Sequence, residues 1–147
     1  MTLNEQIVQE AKDWLGVPYQ HRSWTKNGCD CTGLILGVIK GVGFIQKYEV
    51  RRYPKDWNLH AMADDFLVQE LSKFATLVPK SETLPGDILV FKFGHCESHM
   101  GIKMEHDLFL HIMDKSITKL AKLRNSPFNK RWGCSFRFDE TKLRGVL

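Results

Sequence analysis

Apolar residues recur in this chain with two different periods, and the change falls near the middle. In the first half they follow helical spacing, as in the set Ile7, Val8, Ala11, Trp14 and Leu15. In the second half they form short runs of strand composition, the first of which follows the turn signal Leu84-Pro85-Gly86-Asp87. Because helices come first and closely spaced strands follow, the order predicts an α+β domain with N-terminal helices on a C-terminal antiparallel sheet.

Three helices are predicted in the first half. The first begins with a capping box of Thr2 and Glu5, and the second begins at Asp30. Residues 19–29, which lie between them, show no period and are expected to form a loop. Asn58 is expected to cap the third helix. Its apolar face would consist of Ala63, Phe66, Leu67, Leu71 and Phe74.

Five strands are predicted in the second half: 88–91, 100–104, 108–113, 117–123 and 132–138. We expect the second and third to form a hairpin in which the residue numbers of paired residues add to about 210–212. That register places His111 close to opposite His99, where cross-strand Cβ atoms lie roughly 4.5–5.5 Å apart. One of the two imidazole rings could then fix the orientation of the other.

Composition limits the class of protein. The 147 residues are enough for one domain, which we expect to span residues 1–147. Hydrophobic residues make up 43% and charged residues 26%, which excludes a disordered or collagen-like chain. The longest apolar stretch, Leu34–Ile45, contains Lys40 and is too short for a membrane-spanning helix. The N-terminus lacks the basic start and apolar run of a secretory signal, so cytoplasmic synthesis is expected.

The net charge of +4 is concentrated near the C-terminus. Between Asp114 and Leu147 there are nine Lys or Arg residues and three Asp or Glu residues. A solvated face is the favoured interpretation, and an anionic partner is the alternative. No basic run is interleaved with aromatic residues as a nucleic-acid groove requires, so no nucleic-acid partner is expected.

The cysteines at 29, 31, 96 and 134 are expected to be reduced thiols. Cys31 follows Asp30 in the first turn of the second helix, where free N–H groups and the helix dipole favour a thiolate and lower its pKa. Asp30 would cap this helix. Cys31 is either a nucleophile or a small buried residue, and its position alone leaves both open.

A nucleophilic thiol needs a histidine as proton acceptor and a third group to orient the ring. His99 and His111 suit these roles because the predicted hairpin brings them together. A metal site is the alternative, since Cys29, Cys31, His95, Cys96 and His99 are all soft-metal ligand types. Cys29-x-Cys31 is not a usual zinc spacing, however, so neither a metal nor another cofactor is expected.

Five segments, taken in order, resemble the NlpC/P60 family of bacterial and phage cysteine peptidases. They are Ala11–Tyr19, Gly28–Leu34 around the nucleophile motif, Leu84–Phe91, His99–Ile102 and Leu110-His111. The resemblance implies a papain-like fold and hydrolysis of amide bonds in peptidoglycan stem peptides. It also implies Cys31 as nucleophile, His99 as general base and His111 as the orienting residue. Tyr19 would border the site and help the Cys31 N–H hold the oxyanion, with Asp30 beside it.

Two details refine the resemblance. Cys29 and the segment Tyr53–Trp57 resemble a subgroup found in phage tails and gene-transfer-agent particles. That subgroup implies particle proteins as partners and action in the periplasm or cell wall. His95 is a rival base, Cys96 lies beside it, and Thr32 replaces the family's usual serine. The alternatives are a non-catalytic tail-tip module on the same fold, a lipid acyltransferase of papain-like fold and a zinc-binding domain.

Overall fold

The computed structural model describes residues 1–48, 66–93 and 96–146. The helices of the described residues are α1 (Leu3–Lys12), α2 (Cys31–Val42), α3 (Phe66–Ser72), α4 (Pro127–Arg131) and α5 (Glu140–Arg144). The strands are β1 (Trp24–Thr25), β2 (Gly28–Cys29), β3 (Ala75–Val78), β4 (Ile88–Phe93), β5 (Cys96–Lys103), β6 (Leu108–His111), β7 (Lys119–Lys122) and β8 (Trp132–Phe138). A short 3₁₀ turn spans Lys80–Glu82.

Six strands form one antiparallel sheet in the order β3-β8-β4-β5-β6-β7. The predicted α+β architecture, with helices first and an antiparallel sheet after them, is confirmed. The β1–β2 pair is a separate two-stranded hairpin within the predicted loop 19–29. No helix formed by the described residues is long and apolar enough to cross a bilayer.

The ends of α1 and α2 follow from their capping residues. The Thr2 hydroxyl accepts the backbone N–H of Glu5 at 3.1 Å, so the predicted capping box begins α1. The Asp30 carboxylate accepts the N–H of Gly33 at 2.7 Å at the start of α2. The helix ends at Gly43, whose φ of +113° is a left-handed conformation that suits glycine.

The sheet buries a different set of side chains on each face. On one face the helices α1 and α2 cover the main core, which includes Ile7, Leu34, Ile39, Ile88, Ile102 and Leu110. The second face carries a smaller cluster of Leu89, Phe91, Phe109, Leu123 and Trp132, with Phe128 of α4 packed against it. The rings of His99 and His111 contact this aromatic cluster, whereas Cys31 packs against the main core.

Several predicted boundaries were wrong. Phe74 was assigned to the third helix, but α3 ends at Ser72 and Phe74 is buried in the turn that follows. β5 begins three residues before His99, and β6 ends at His111 rather than at residue 113. Phe74 is buried in the main core although it lies outside α3, so burial alone does not mark the end of that helix. The predicted cap at Asn58 lies outside the described residues.

Candidate active site

Asp30 joins the start of α2 to the loop that precedes it. One carboxylate oxygen accepts the Gly33 N–H and the other accepts the N–H of Arg22 at 2.8 Å. The His21 Nδ1 atom lies 3.8 Å from the second oxygen. A side chain at Gly33 would collide with the carbonyl of Ser23, since its Cβ would lie 1.7 Å from that oxygen. Asp30 and Gly33 are therefore both required for the preceding loop to pack closely against the start of α2.

This arrangement brings the Cys31 thiol to the sheet. Cys31 is the first residue of α2 and is partly buried. The backbone N–H of Met100 in β5 lies near enough to the sulfur to lower the pKa of the thiol, against the larger opposing effect of burial. Met100 directly follows His99 in that strand, so the helix end and the histidine-bearing strand meet at the sulfur.

His99 and His111 are in direct contact through their rings. The His99 Nε2 atom lies 3.0 Å from His111 Nδ1, and the two side chains are 7% and 1% exposed. In the β5–β6 hairpin Ile102 pairs with Leu110 and Lys103 with Phe109, so paired residue numbers add to 212. The histidines are diagonal neighbours at this register, which imidazole rings can span. The predicted hairpin contact is confirmed.

Four phenylalanine rings surround the histidine pair. The ring centroid of His99 lies 5.8 Å from that of Phe91 and 5.4 Å from that of Phe93. The His111 ring lies 4.8 Å from Phe109 and 4.9 Å from Phe128. The pair thus occupies an apolar environment that disfavours charge on either ring.

Burial holds the thiol and both imidazoles in their neutral forms. It raises the pKa of the Cys31 thiol to about 12, and the nearby Asp30 carboxylate adds to this, while the Met100 N–H opposes it. It lowers the pKa of His99 to about 3, with His111 adding to the effect. It also lowers the pKa of His111 to about 4, with a contribution from Lys119. The pair therefore has no net charge at neutral pH.

The predicted lowering of the Cys31 pKa by the helix N-terminus was wrong. The dipole of α2 does point its positive end at the thiol, as expected. Desolvation and the adjacent carboxylate act in the opposite direction and prevail. The sequence could not reveal this, because the depth of burial depends on the packing of α2 against β5.

Tyr19 lies within electrostatic range of the thiol. It forms an isolated parallel bridge with Cys29, two residues before Cys31. Burial raises the pKa of Tyr19 to about 12, and negative charge at Asp30, Asp114 and Cys31 contributes. The phenol therefore stays protonated and can donate a hydrogen bond beside the sulfur.

Of the cysteines whose side chains the structure describes, neither Cys29 nor Cys134 joins Cys31 in a metal-binding cluster. Cys29, Cys31 and Cys134 form no disulfide, and Cys29 is fully buried in the main core. Within residues 1–48, 66–93 and 96–146 no three His, Cys, Asp or Glu side chains are arranged to hold a metal ion. His95 and the side chain of Cys96 lie outside the described residues, so the rival base is not compared with His99.

Sequence reasoning missed His21 and Phe128 as neighbours of the site. His21 lies in the predicted loop 19–29, and its Nδ1 atom is 3.8 Å from the Asp30 carboxylate. Phe128 follows Ser126-Pro127, a cap and a first-turn proline that together predict a helix start. That signal was present in the sequence and indicated a helix, although not which face of the sheet it covers.

A comparison of the sequence with models of known protein families identifies the family to which the chain belongs. The NlpC/P60 family model matches residues 16–137, which is most of the chain. The chain belongs to the NlpC/P60 family. The resemblance of the five sequence segments is thereby confirmed at family level.

Two curated relatives from Escherichia coli strain K12 are each 25% identical to the chain. One is the probable endopeptidase NlpC, aligned over 136 residues, which are 91% of this chain and 72% of the relative. The other is the murein DD-endopeptidase MepS/murein LD-carboxypeptidase, aligned over 130 residues, which are 88% of this chain and 60% of the relative. The chain therefore spans between three fifths and three quarters of the length of these two relatives.

Solved structures of the NlpC/P60 family share the fold. The NlpC/P60 domain of the peptidoglycan hydrolase SagA has a TM-score of 0.60 at 16% identity, covering 94% of this chain and 99% of that one. An NlpC/P60 protein from Bacillus cereus ATCC 10987 has a TM-score of 0.66 at 16% identity, covering 93% of this chain and 40% of that one. The mixed helix and sheet architecture is therefore that of the family.

Proposed function

We propose that the chain is a cysteine hydrolase that cleaves amide bonds in peptidoglycan stem peptides. The observation that carries this proposal is the contact between the Cys31 sulfur and the Met100 N–H, one residue from a histidine bonded to a second histidine. The names of the relatives, a probable endopeptidase and a murein endopeptidase, supply the substrate class.

In the proposed mechanism His99 takes the thiol proton. Its Nε2 atom is engaged with His111, so Nδ1 is the nitrogen available to the sulfur. As the sulfur attacks the amide carbon, the S–H proton passes to Nδ1 and an oxyanion forms. The neutral starting state requires the two events to be coupled, since no thiolate is stored in advance.

The oxyanion is held at the start of α2. The backbone N–H of Cys31 belongs to the first turn, whose N–H groups have no acceptor within the helix. We assign the protonated Tyr19 phenol as a second donor. His99 then gives its proton to the leaving amine, and the acyl group stays on sulfur as a thioester. Water, deprotonated by His99, hydrolyses the thioester and restores the thiol.

Asp30 has a positioning role in this proposal. Its oxygens already accept N–H groups from Gly33 and Arg22, so the carboxylate fixes the loop and helix rather than the oxyanion. A negative charge there also disfavours a free thiolate. His111 orients the His99 ring through the bond between Nε2 and Nδ1.

Digestion of purified peptidoglycan tests the function. Wild-type protein should release muropeptides with newly exposed termini, identified by mass spectrometry, while Cys31→Ala should release none. Cys134→Ala is the matched control, because it removes a thiol in β8, outside the proposed site, and should keep full activity. Full activity in Cys31→Ala, or no cleavage by folded wild-type protein, would contradict the proposal. The second result would favour the non-catalytic module.

We also infer particle proteins as partners and action in the periplasm or wall, on the resemblance of Cys29 and the segment 53–57 to the phage-tail subgroup. That segment lies outside the described residues. Co-purification with tail or particle proteins from the source cell tests this inference, and a chain found only free of such particles would contradict it.

A further inference from the structure

The Nε2 atom of His111 is a buried polar atom in an unusual position. The side chain is 1% exposed, and Nε2 has no hydrogen-bond partner among the described residues. The other ring nitrogen, Nδ1, is engaged with His99. A buried polar atom left without a partner is costly, so its surroundings call for an explanation.

Aromatic rings pack against His111 from two elements. The Phe128 ring of α4 meets it edge to face, at 4.9 Å between centroids and 77° between planes. The Phe109 ring of β6 lies at 4.8 Å with a tilt of 41°. The face of an aromatic ring is negative, so it attracts an N–H group and repels a nitrogen lone pair. A ring face packed against Nε2 therefore favours the imidazole tautomer with hydrogen on Nε2.

We propose that Phe128 is a positioning residue whose ring face accepts the His111 Nε2–H and thereby sets the proton positions along the histidine pair. The inference rests on the proposed function of Cys31 and His99. It adds a residue outside the Cys and His motifs, on a helix that covers the second face of the sheet.

The proton positions follow from counting hydrogens on two neutral rings. With hydrogen on Nε2, His111 presents a bare Nδ1, which accepts the Nε2–H of His99. The His99 Nδ1 atom is then free of hydrogen and can take the thiol proton. In the opposite arrangement His111 Nδ1–H donates to His99 Nε2, His99 carries its hydrogen on Nδ1, and the base is blocked.

The structure holds Phe128 firmly in this place. The Ser126 hydroxyl donates to the carbonyl oxygens of Lys122 and Leu123, both at 2.8 Å, which ties the start of α4 to the end of β7. The Phe128 ring also packs edge to face on Phe91 and Phe109. The titratable groups that face His111 are His99 on β5 and Lys119 on β7, while α4 contributes the uncharged ring of Phe128.

Nitrogen-15 NMR of the histidine side chains tests the tautomer directly. In substrate-free wild-type protein at neutral pH, His111 should show a protonated Nε2 and a bare Nδ1. Phe128→Tyr keeps a ring face and should keep this pattern. Phe128→Leu removes the ring at similar volume and should give a mixture of tautomers. Its kcat for muropeptide cleavage should fall about two- to fivefold with KM unchanged.

Phe74→Leu is the matched control. Phe74 also makes an edge-to-face contact, with Tyr48, but it lies in the main core. That variant should lose stability while the His111 signals and kcat stay as in wild type.

Two results would overturn the inference: a bare Nε2 on His111 in wild-type protein, or unchanged His111 signals in folded Phe128→Leu. Both can be read without any turnover. If wild-type protein shows the expected tautomer but cleaves no peptidoglycan, the proposed function fails while the positioning of His111 by Phe128 stands.

Discussion

At the scale of single residues, the thiol and the two imidazoles of the candidate site are expected to be neutral before substrate binds. The Cys31 thiol is partly buried beside a carboxylate, and the two imidazoles are enclosed by phenylalanine rings. The positive end of α2 does not outweigh these effects. We therefore expect a neutral thiol and neutral imidazoles in the resting state, with the proton moving as the substrate is attacked.

Alkylation by iodoacetamide distinguishes the two resting states. With a thiol pKa of about 12, the rate of modification at Cys31 should rise about tenfold per pH unit from pH 6 to 9. Peptide mapping by mass spectrometry at each pH gives the rate at this cysteine. A rate that is already constant across neutral pH would indicate a thiolate paired with His99 and contradict the neutral state.

The pH dependence of kcat tests the histidine pair. Both pKa values are lowered, so both rings stay neutral well below the ordinary value near 6.5. As the pH falls through about 4, His111 takes a proton, its Nδ1–H turns toward His99, and the base is blocked. Activity should therefore persist through pH 5 and fall near pH 4. An acid limb near pH 6.5 would contradict the burial of the pair.

At the scale of elements, Asp30 at the start of α2 is expected to contribute both to the stability of the protein and to its activity. Asp30→Ala removes the cap and the anchor of the preceding loop, so we expect a loss of about 1–2 kcal/mol in the free energy of unfolding. Because the thiol sits on that turn, kcat should fall at least tenfold. Urea unfolding and muropeptide cleavage measure the two effects.

Thr2→Ala is the control for the Asp30 variant. It removes the equivalent cap of α1 and should cost about 1 kcal/mol with no change in kcat. Equal loss of activity in both variants would show that Asp30 acts through global stability alone.

The buried Asp87 carboxylate is joined to β8 by an ion pair and to α1 by a hydrogen bond. The fully buried Asp87 carboxylate receives two hydrogen bonds from Arg137 of β8, at 2.9 and 2.8 Å, and one from Asn4 of α1. Arg137→Ala leaves that charge without its cation and should cost about 3 kcal/mol in thermal unfolding measurements. Arg144→Ala breaks the exposed pair with Glu140 and should cost less than about 0.5 kcal/mol. Similar costs would contradict the role of burial.

At the scale of the whole molecule, periodicity and caps predicted the architecture. The capping residues Thr2 and Asp30 and the β5–β6 register could be derived because local hydrogen bonding and side-chain alternation determine them. The edge strand β3 could not, since four residues carry too little periodicity. The start of α4 is signalled by Ser126-Pro127, but its five residues do not show which face of the sheet it covers. The pKa values also escaped prediction, because they depend on how deeply distant segments bury the site.

We continue to interpret the basic residues between Asp114 and Leu147 as a solvated face. Among these cations Arg137 and Arg144 pair with carboxylates, while Lys119 and Lys122 are exposed on β7, an edge of the sheet. Lysines on an edge strand discourage pairing with another sheet, which is a sufficient reason for their presence.

The account depends on covalent chemistry at one sulfur, and a trapped intermediate tests it most directly. Wild-type protein is mixed with a soluble muropeptide, quenched in acid within the first turnovers and analysed by mass spectrometry. We predict an acyl adduct on the peptide that contains Cys31, absent from Cys31→Ala and from His99→Ala. An adduct on another cysteine, or cleavage that proceeds in Cys31→Ala, would contradict the account.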